Sequence, residues 1–260
     1  MILEVRGLTR HFGGIRALDG IDLGISAGEL VGLIGPNGSG KTTLFNVVTG
    51  IYRPDRGEVL LEGEDIAGLP PHRINHLGVA RTFQNIRLFR NLSVLDNVRV
   101  AYHRHIPYGP LSAVSRTGKF LRGERELLDR AQQLLSIVGL EDRKEELAAG
   151  LAYGAQRRLE IARALASGPK VLLLDEPAAG MNPYEVGRLK EFLLEIRERF
   201  RLTVLLIEHQ MSLVMSLCER IAVMDFGQLI ARGSPGEIRK NPAVIEAYLG
   251  ESIPANGAEG

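Results

Sequence analysis

Apolar residues fall in short unbroken runs near the start of this chain and again after residue 150. Residues 29–34, 170–174, 203–207 and 220–224 are solid enough to predict strands buried on both faces. Between the later runs, residues 185–200 carry Val186, Leu189, Leu193, Ile196 and Phe200 on one face, which predicts an amphipathic helix. Residues 43–48 and 211–218 predict two more helices. Residues 1–34 alternate short apolar stretches with Gly and Asp turns, and residues 59–63 repeat the pattern, so the first part of the chain reads as β-rich. The middle differs. Residues 97–125 break into short helical pieces among Pro107, Gly109, Pro110, Gly118 and Gly123. Residues 124–138 then predict a helix, with Leu127, Leu128, Ala131, Leu134, Leu135 and Val138 on its apolar side. This order predicts an α/β fold: a parallel core with an antiparallel β subdomain, interrupted by a helical insert. One domain is expected over residues 1–250. Residues 1–84 and 155–250 form its core, residues 85–154 the helical subdomain and residues 251–260 a disordered tail.

Composition narrows the class. The 260 residues are 45% hydrophobic and 24% charged, with a net charge of +1, so no overall field draws the chain to nucleic acid or an anionic bilayer. No apolar run reaches the ~20 residues of a membrane span, and the first residues lack the form of a secretory leader. The chain is expected on the cytoplasmic side, reaching any membrane through partners. Cys218 is the only cysteine, which rules out an intrachain disulfide.

The chemistry is concentrated at residues 35–42, Gly-Pro-Asn-Gly-Ser-Gly-Lys-Thr. This fits the phosphate-binding pattern of a glycine, four free positions, then Gly-Lys-Ser/Thr. The glycines let successive backbone N–H groups turn toward phosphate oxygens. Lys41 adds positive charge, Thr42 offers a hydroxyl to Mg²⁺, and the helix that follows points its positive end at the anion. The run at 171–174 ends in Asp175 and Glu176. A carboxylate there can hold Mg²⁺, and the next can deprotonate a water aimed at the terminal phosphate. The run at 203–207 delivers His209 to the same side of a parallel sheet, where ligands bind. Gln84, just before the insert, offers an amide oxygen to Mg²⁺ and an NH₂ to water.

Together, residues 35–43, Gln84, the segment Leu151-Ala152-Tyr153-Gly154-Ala155-Gln156, residues 175–176 and His209 resemble the ATP-binding cassette family in both identity and order. The resemblance covers residues 2–250. Residues 81–84, 87–89, 157–163, 177–183, 207–209 and 241–250 look most like the ATP-binding subunits of branched-chain amino acid importers. The length of the insert resembles the larger of the two subunits such importers use. The resemblance implies ATP and Mg²⁺ as ligands, with Phe12 stacking on adenine and residues 35–43 binding the phosphates. It makes Thr42, Gln84 and Asp175 the metal residues and Glu176, His209 and Gln84 the catalytic set. Ala152, Tyr153, Gly154 and Ala155 would be offered to the nucleotide of a second cassette, a copy or a sister, in a head-to-tail sandwich. Permease subunits would dock on the surface around residues 84–110, with a substrate-binding protein acting through them at the membrane's cytoplasmic face.

This chain departs from the usual Leu-Ser-Gly-Gly-Gln signature at Ala152, Tyr153 and Ala155, and has Asn182 where an aspartate is usual. Another cargo, such as urea, amides or lipids, is an alternative, as is a soluble cassette without a transport role. A guanine-specific GTPase is excluded because no lysine sits in an Asn/Thr-Lys-x-Asp context.

Overall fold

The computed structural model describes residues 1–102 and 118–249. The expected tail at 251–260 and the predicted turns at Pro107, Gly109 and Pro110 lie outside the described residues. Two compact units emerge, one from Met1–Val79 with Lys170–Gly260, the other from Ala80–Pro169.

The first unit holds two sheets. An antiparallel sheet has the order β2-β1-β4-β5, made from β1 (Leu3–Phe12), β2 (Ile15–Ile25), β4 (Arg56–Leu61) and β5 (Glu64–Asp65). The other sheet is built on β3 (Leu30–Ile34), β7 (Val171–Asp175), β8 (Thr203–Ile207) and β9 (Arg220–Asp225), all parallel. β10 (Gln228–Gly233) lies antiparallel to β9, and β6 (Val79–Arg81) closes the order β10-β9-β3-β8-β7-β6. Every residue of β3, β7 and β8 is buried, which is why these strands read as unbroken apolar runs. Parallel neighbours need crossovers, and the chain supplies helices. α1 (Lys41–Val48) follows β3. The later helix Pro183–Phe200 joins β7 to β8, and Met211–Leu217 joins β8 to β9. Leu33, Phe45, Leu173, Leu205 and Ala222 meet in one core that extends to Leu8, Leu18 and Val59 of the antiparallel sheet.

One expected core position fails. On Pro183–Phe200, Val186, Leu189, Leu193 and Ile196 are buried and Phe192 joins them, but Phe200 at the helix end is exposed. The stripe drifts over five turns because 3.6 residues per turn does not keep a fixed spacing on one face.

The second unit is mainly helical. After α2 (Pro71–Leu77) of the first unit come α3 (Val94–Tyr102), α4 (Gly118–Ile137) and α5 (Tyr153–Ala166). Leu127, Ala131, Leu134, Leu135 and Val138 are buried among them, with Leu128 half-buried. This unit takes in α5, which the sequence reading had placed with the core. The reason is local: α5 carries Arg157 and Glu160, whose side chains bind the backbone at residues 83–87.

Candidate functional site

The loop at 35–40 can turn only because its glycines have no side chains. Gly35 has φ +146°, and a Cβ there would sit 2.0 Å from the Met224 carbonyl oxygen. Gly40 has φ +103°, and its Cβ would meet the Ala17 carbonyl at 2.4 Å. α1 starts at Lys41 with Gly40 as its cap residue, no side chain capping it and no acidic residue in its first turn. The start of the helix is therefore positive and suits an anion. Lys41 is buried. Its ammonium donates to the Gly35 and Pro36 carbonyls at 2.7 Å each and to Ser39 Oγ at 3.2 Å. These bonds hold a positive charge within the loop's own curve.

A cavity of about 410 Å³ opens there, lined by Asn37, Gly38, Gly40, Lys41, Thr42, Thr43, Glu176 and His209, with Ile15, Arg16, Ala17 and Phe226 completing the wall. Asp175 is buried at the end of β7, in register with Ile207 of β8. Glu176 follows with φ +47°, a left-handed conformation rare for a non-glycine residue and often found at functional sites. This turn presents the Glu176 carboxylate to His209, with Oε1 2.9 Å from Nε2. Glu176 is mostly shielded and His209 more open, at 16% and 43% side-chain exposure.

Sequence reasoning missed Glu208. It is 2% exposed at the end of β8. Its Oε1 accepts from Ala178 N at 2.7 Å, and its Oε2 accepts from His209 N at 2.9 Å and Gln210 N at 3.2 Å. Gln210 Nε2 also donates to the Ala178 carbonyl at 3.2 Å. One buried carboxylate thus ties the loop after Glu176 to the loop carrying His209. The signal in the sequence was a charged residue directly after the four apolar residues 204–207. Asn182 has a local role as well. Its side chain accepts from Glu185 N while Glu185 accepts from Asn182 N, a capping box that starts Pro183–Phe200.

The cavity wall near the start of β2 is formed by Ile15, Arg16 and Ala17, with Phe12 outside it at the end of β1. The Arg10 guanidinium lies 4.8 Å over the Phe12 ring, and Tyr52 meets it edge-on at 5.2 Å. Gly35, Pro36 and Ser39 of the loop also stand off this wall; Pro36 and Ser39 face an adjoining cavity bounded by Phe226 and Ala243.

In the second unit, Gln84 is exposed and Ala152 is the cap residue of α5. Gln156 Nε2 donates to the Leu151 carbonyl at 2.8 Å, closing the turn into the helix. Ala152 and Tyr153 are exposed and Gly154 is partly so. Ala155, one helical step round, is buried. The Arg157 guanidinium is fully buried and paired with Glu160 at 2.7 Å. Burial pushes the Glu160 carboxyl above its usual range, with Arg157 and two backbone donors pulling the other way. Among the described residues no cluster of three His, Cys, Asp or Glu side chains could hold a metal. The oxygen donors Thr42 and Asp175 do suit a hard cation shared with phosphate.

A glycine-built loop on a positive helix end, a buried lysine and an acid–imidazole pair across one cavity define a phosphate-loop nucleotide-binding protein. The ABC transporter family matches residues 18–179, and the branched-chain amino acid ATP-binding cassette transporter family matches residues 228–253. The chain belongs to the ABC transporter family, as one of its ATPases. It is 49% identical to the high-affinity branched-chain amino acid transport ATP-binding protein BraF of Pseudomonas aeruginosa, over 96% of this chain and 98% of that one. Among solved structures, the ADP conformation of MJ1267, an ATP-binding cassette of an ABC transporter, superposes with a TM-score of 0.82 at 32% identity, covering 96% of this chain and 98% of that one. A dimeric structure of MJ0796, a bacterial ABC transporter cassette, superposes at 0.75 with 25% identity, covering 90% and 98%. No helix among the described residues is long and apolar enough to cross a membrane.

Proposed function

We propose that this chain is the ATP-hydrolysing subunit of an importer for branched-chain amino acids, working as one of a pair of cassettes beneath a permease at the cytoplasmic face of the membrane. The pairing of Glu176 with His209 at 2.9 Å on the wall of the phosphate cavity carries the reading.

Lys41 and the uncapped amides of α1 bind and orient the phosphates. Glu176 accepts the proton of the attacking water, and His209 holds that carboxylate in place through Nε2. Glu208 keeps the two loops in register from beneath. Mg²⁺, when bound, neutralises phosphate charge, and Thr42 and Asp175 would hold it. Tyr153 and Gly154, at the start of a helix with no side-chain cap, would present N–H groups to the phosphate of a second cassette. The identity to BraF and the match at 228–253 support branched-chain amino acids as cargo.

The test is leucine uptake into ATP-loaded proteoliposomes that hold the chain with its membrane partners. Glu176→Gln is expected to bind ATP and abolish ATP-driven uptake. Undiminished uptake overturns the role of Glu176, and uptake of urea in place of leucine overturns the cargo.

A further inference from the structure

We propose that Phe226 is a nucleotide-binding residue whose ring packs on the sugar and base of the bound nucleotide. The inference rests on the reading above, in which Lys41 and the loop around it hold the phosphates, and adds a contact at the nucleoside end.

Phe226 stands where folding gives no reason for it. Asp225 at the end of β9 pairs with Gln228 at the start of β10, so Phe226 and Gly227 are the two residues of the hairpin loop. Both have positive φ, at +43° and +78°. Such a loop favours Asn-Gly, because a bulky side chain is strained in the left-handed region. The ring is also 87% exposed, so it adds little to the core. A residue that breaks a local rule without a gain in packing belongs at a functional site more often than elsewhere.

The loop is fixed against the phosphate site, and every residue involved lies in the first unit. Gly227 N donates to the Ser39 carbonyl at 3.1 Å, and Asp19 N donates to the Gly227 carbonyl at 2.8 Å. A Cβ at Gly227 would sit 2.8 Å from the Arg16 carbonyl oxygen and 3.0 Å from that of Ala17, so the turn lies directly against the start of β2. Phe226 is thereby held on the wall of the cavity that contains Lys41, Thr42, Glu176 and His209. It also bounds the adjoining cavity of about 590 Å³ beside Asn37 and Gly38.

The wall divides by chemistry. Lys41, Thr42, Thr43, Glu176 and His209 suit phosphate and water. Ile15, Ala17 and Phe226 are apolar and suit what remains of a nucleotide whose phosphates lie on the loop. An aromatic face stacks on any base, so this contact adds affinity without choosing between adenine and guanine.

Binding titrations on the full chain test the assignment in wild type, Phe226→Asn and Phe226→Trp. Asparagine suits the left-handed turn, so Phe226→Asn is expected to melt at or above the wild-type temperature. Its affinities for ATP and GTP should each fall about tenfold. Inorganic tripolyphosphate, which has no nucleoside, should bind it as it binds wild type. The chain has no tryptophan, so Phe226→Trp provides a single reporter, whose fluorescence should change with ATP and stay constant with tripolyphosphate. Wild-type ATP affinity in Phe226→Asn overturns the proposal. An equal loss for tripolyphosphate also overturns it, since the turn would then only shape the phosphate loop. Wild-type binding of both ligands by Lys41→Ala would instead overturn the phosphate site on which the inference rests.

Discussion

His209 Nε2 lies 2.9 Å from Glu176 Oε1, and the two residues come from the ends of neighbouring parallel strands. Glu176 reaches this contact through a left-handed backbone turn, so its carboxylate is aimed by main-chain geometry before any ligand arrives. If Glu176 is the general base, Glu176→Gln lowers kcat by roughly 10²–10⁴ while ATP affinity is kept. His209→Ala removes only the group that holds the base, so its loss should be smaller, with KM little changed. Single-turnover hydrolysis with a parallel nucleotide titration separates the two.

Glu208 offers a test of the support beneath that pair. Glu208→Ala leaves the N–H groups of Ala178, His209 and Gln210 without their acceptor, at a cost of about 1–3 kcal/mol for each buried donor stranded. The expected result is a lower melting temperature and a fall in kcat that exceeds any change in KM. Unchanged kcat in a destabilised but folded variant would show that the loops hold their register without it.

Asn182 separates capping from charge. Asn182→Ala breaks the capping box of Pro183–Phe200 and should cost about 1 kcal/mol, read from denaturant unfolding. Asn182→Asp keeps the acceptor and adds a negative charge at the positive helix end, so its stability should match or exceed that of wild type.

Cys218 is buried, and desolvation pushes its thiol from an ordinary value near 9 up to about 12. At pH 8 the native thiolate fraction is then on the order of 10⁻⁴, so Ellman's reagent should react only after unfolding. The sign of the pH effect follows. The unfolded chain loses this proton near pH 9 and the folded chain does not, so the contribution to stability is complete below that value and declines as pH rises toward about 12. Cys218→Ala should lose that alkaline component of the pH profile.

The phosphate loop, the buried strands and the carboxylates at 175–176 could be read from the residues because each is local. A glycine at φ +146° is needed wherever this loop occurs, and a strand covered on both faces must be apolar along its length. His209 was read from its place at the end of a buried strand, and Gln84 and the signature at 151–156 from their order along the chain; neither says what each side chain touches.

What the sequence alone determined was the class of fold, the phosphate cradle and the list of groups able to do chemistry, since these follow from periodicity and from the side-chain needs of a tight loop. Only the tertiary structure decided which groups meet. Strand pairing set His209 against Glu176. Burial placed Glu208 under both loops, turned Ala155 inward and bound Arg157 to the backbone on either side of Gln84. These contacts join residues about 30 to 75 positions apart, as for Glu176 with His209 and Phe83 with Arg157. The bonds form because a buried charge must find partners wherever the fold supplies them. No local pattern in the chain records which partners those will be.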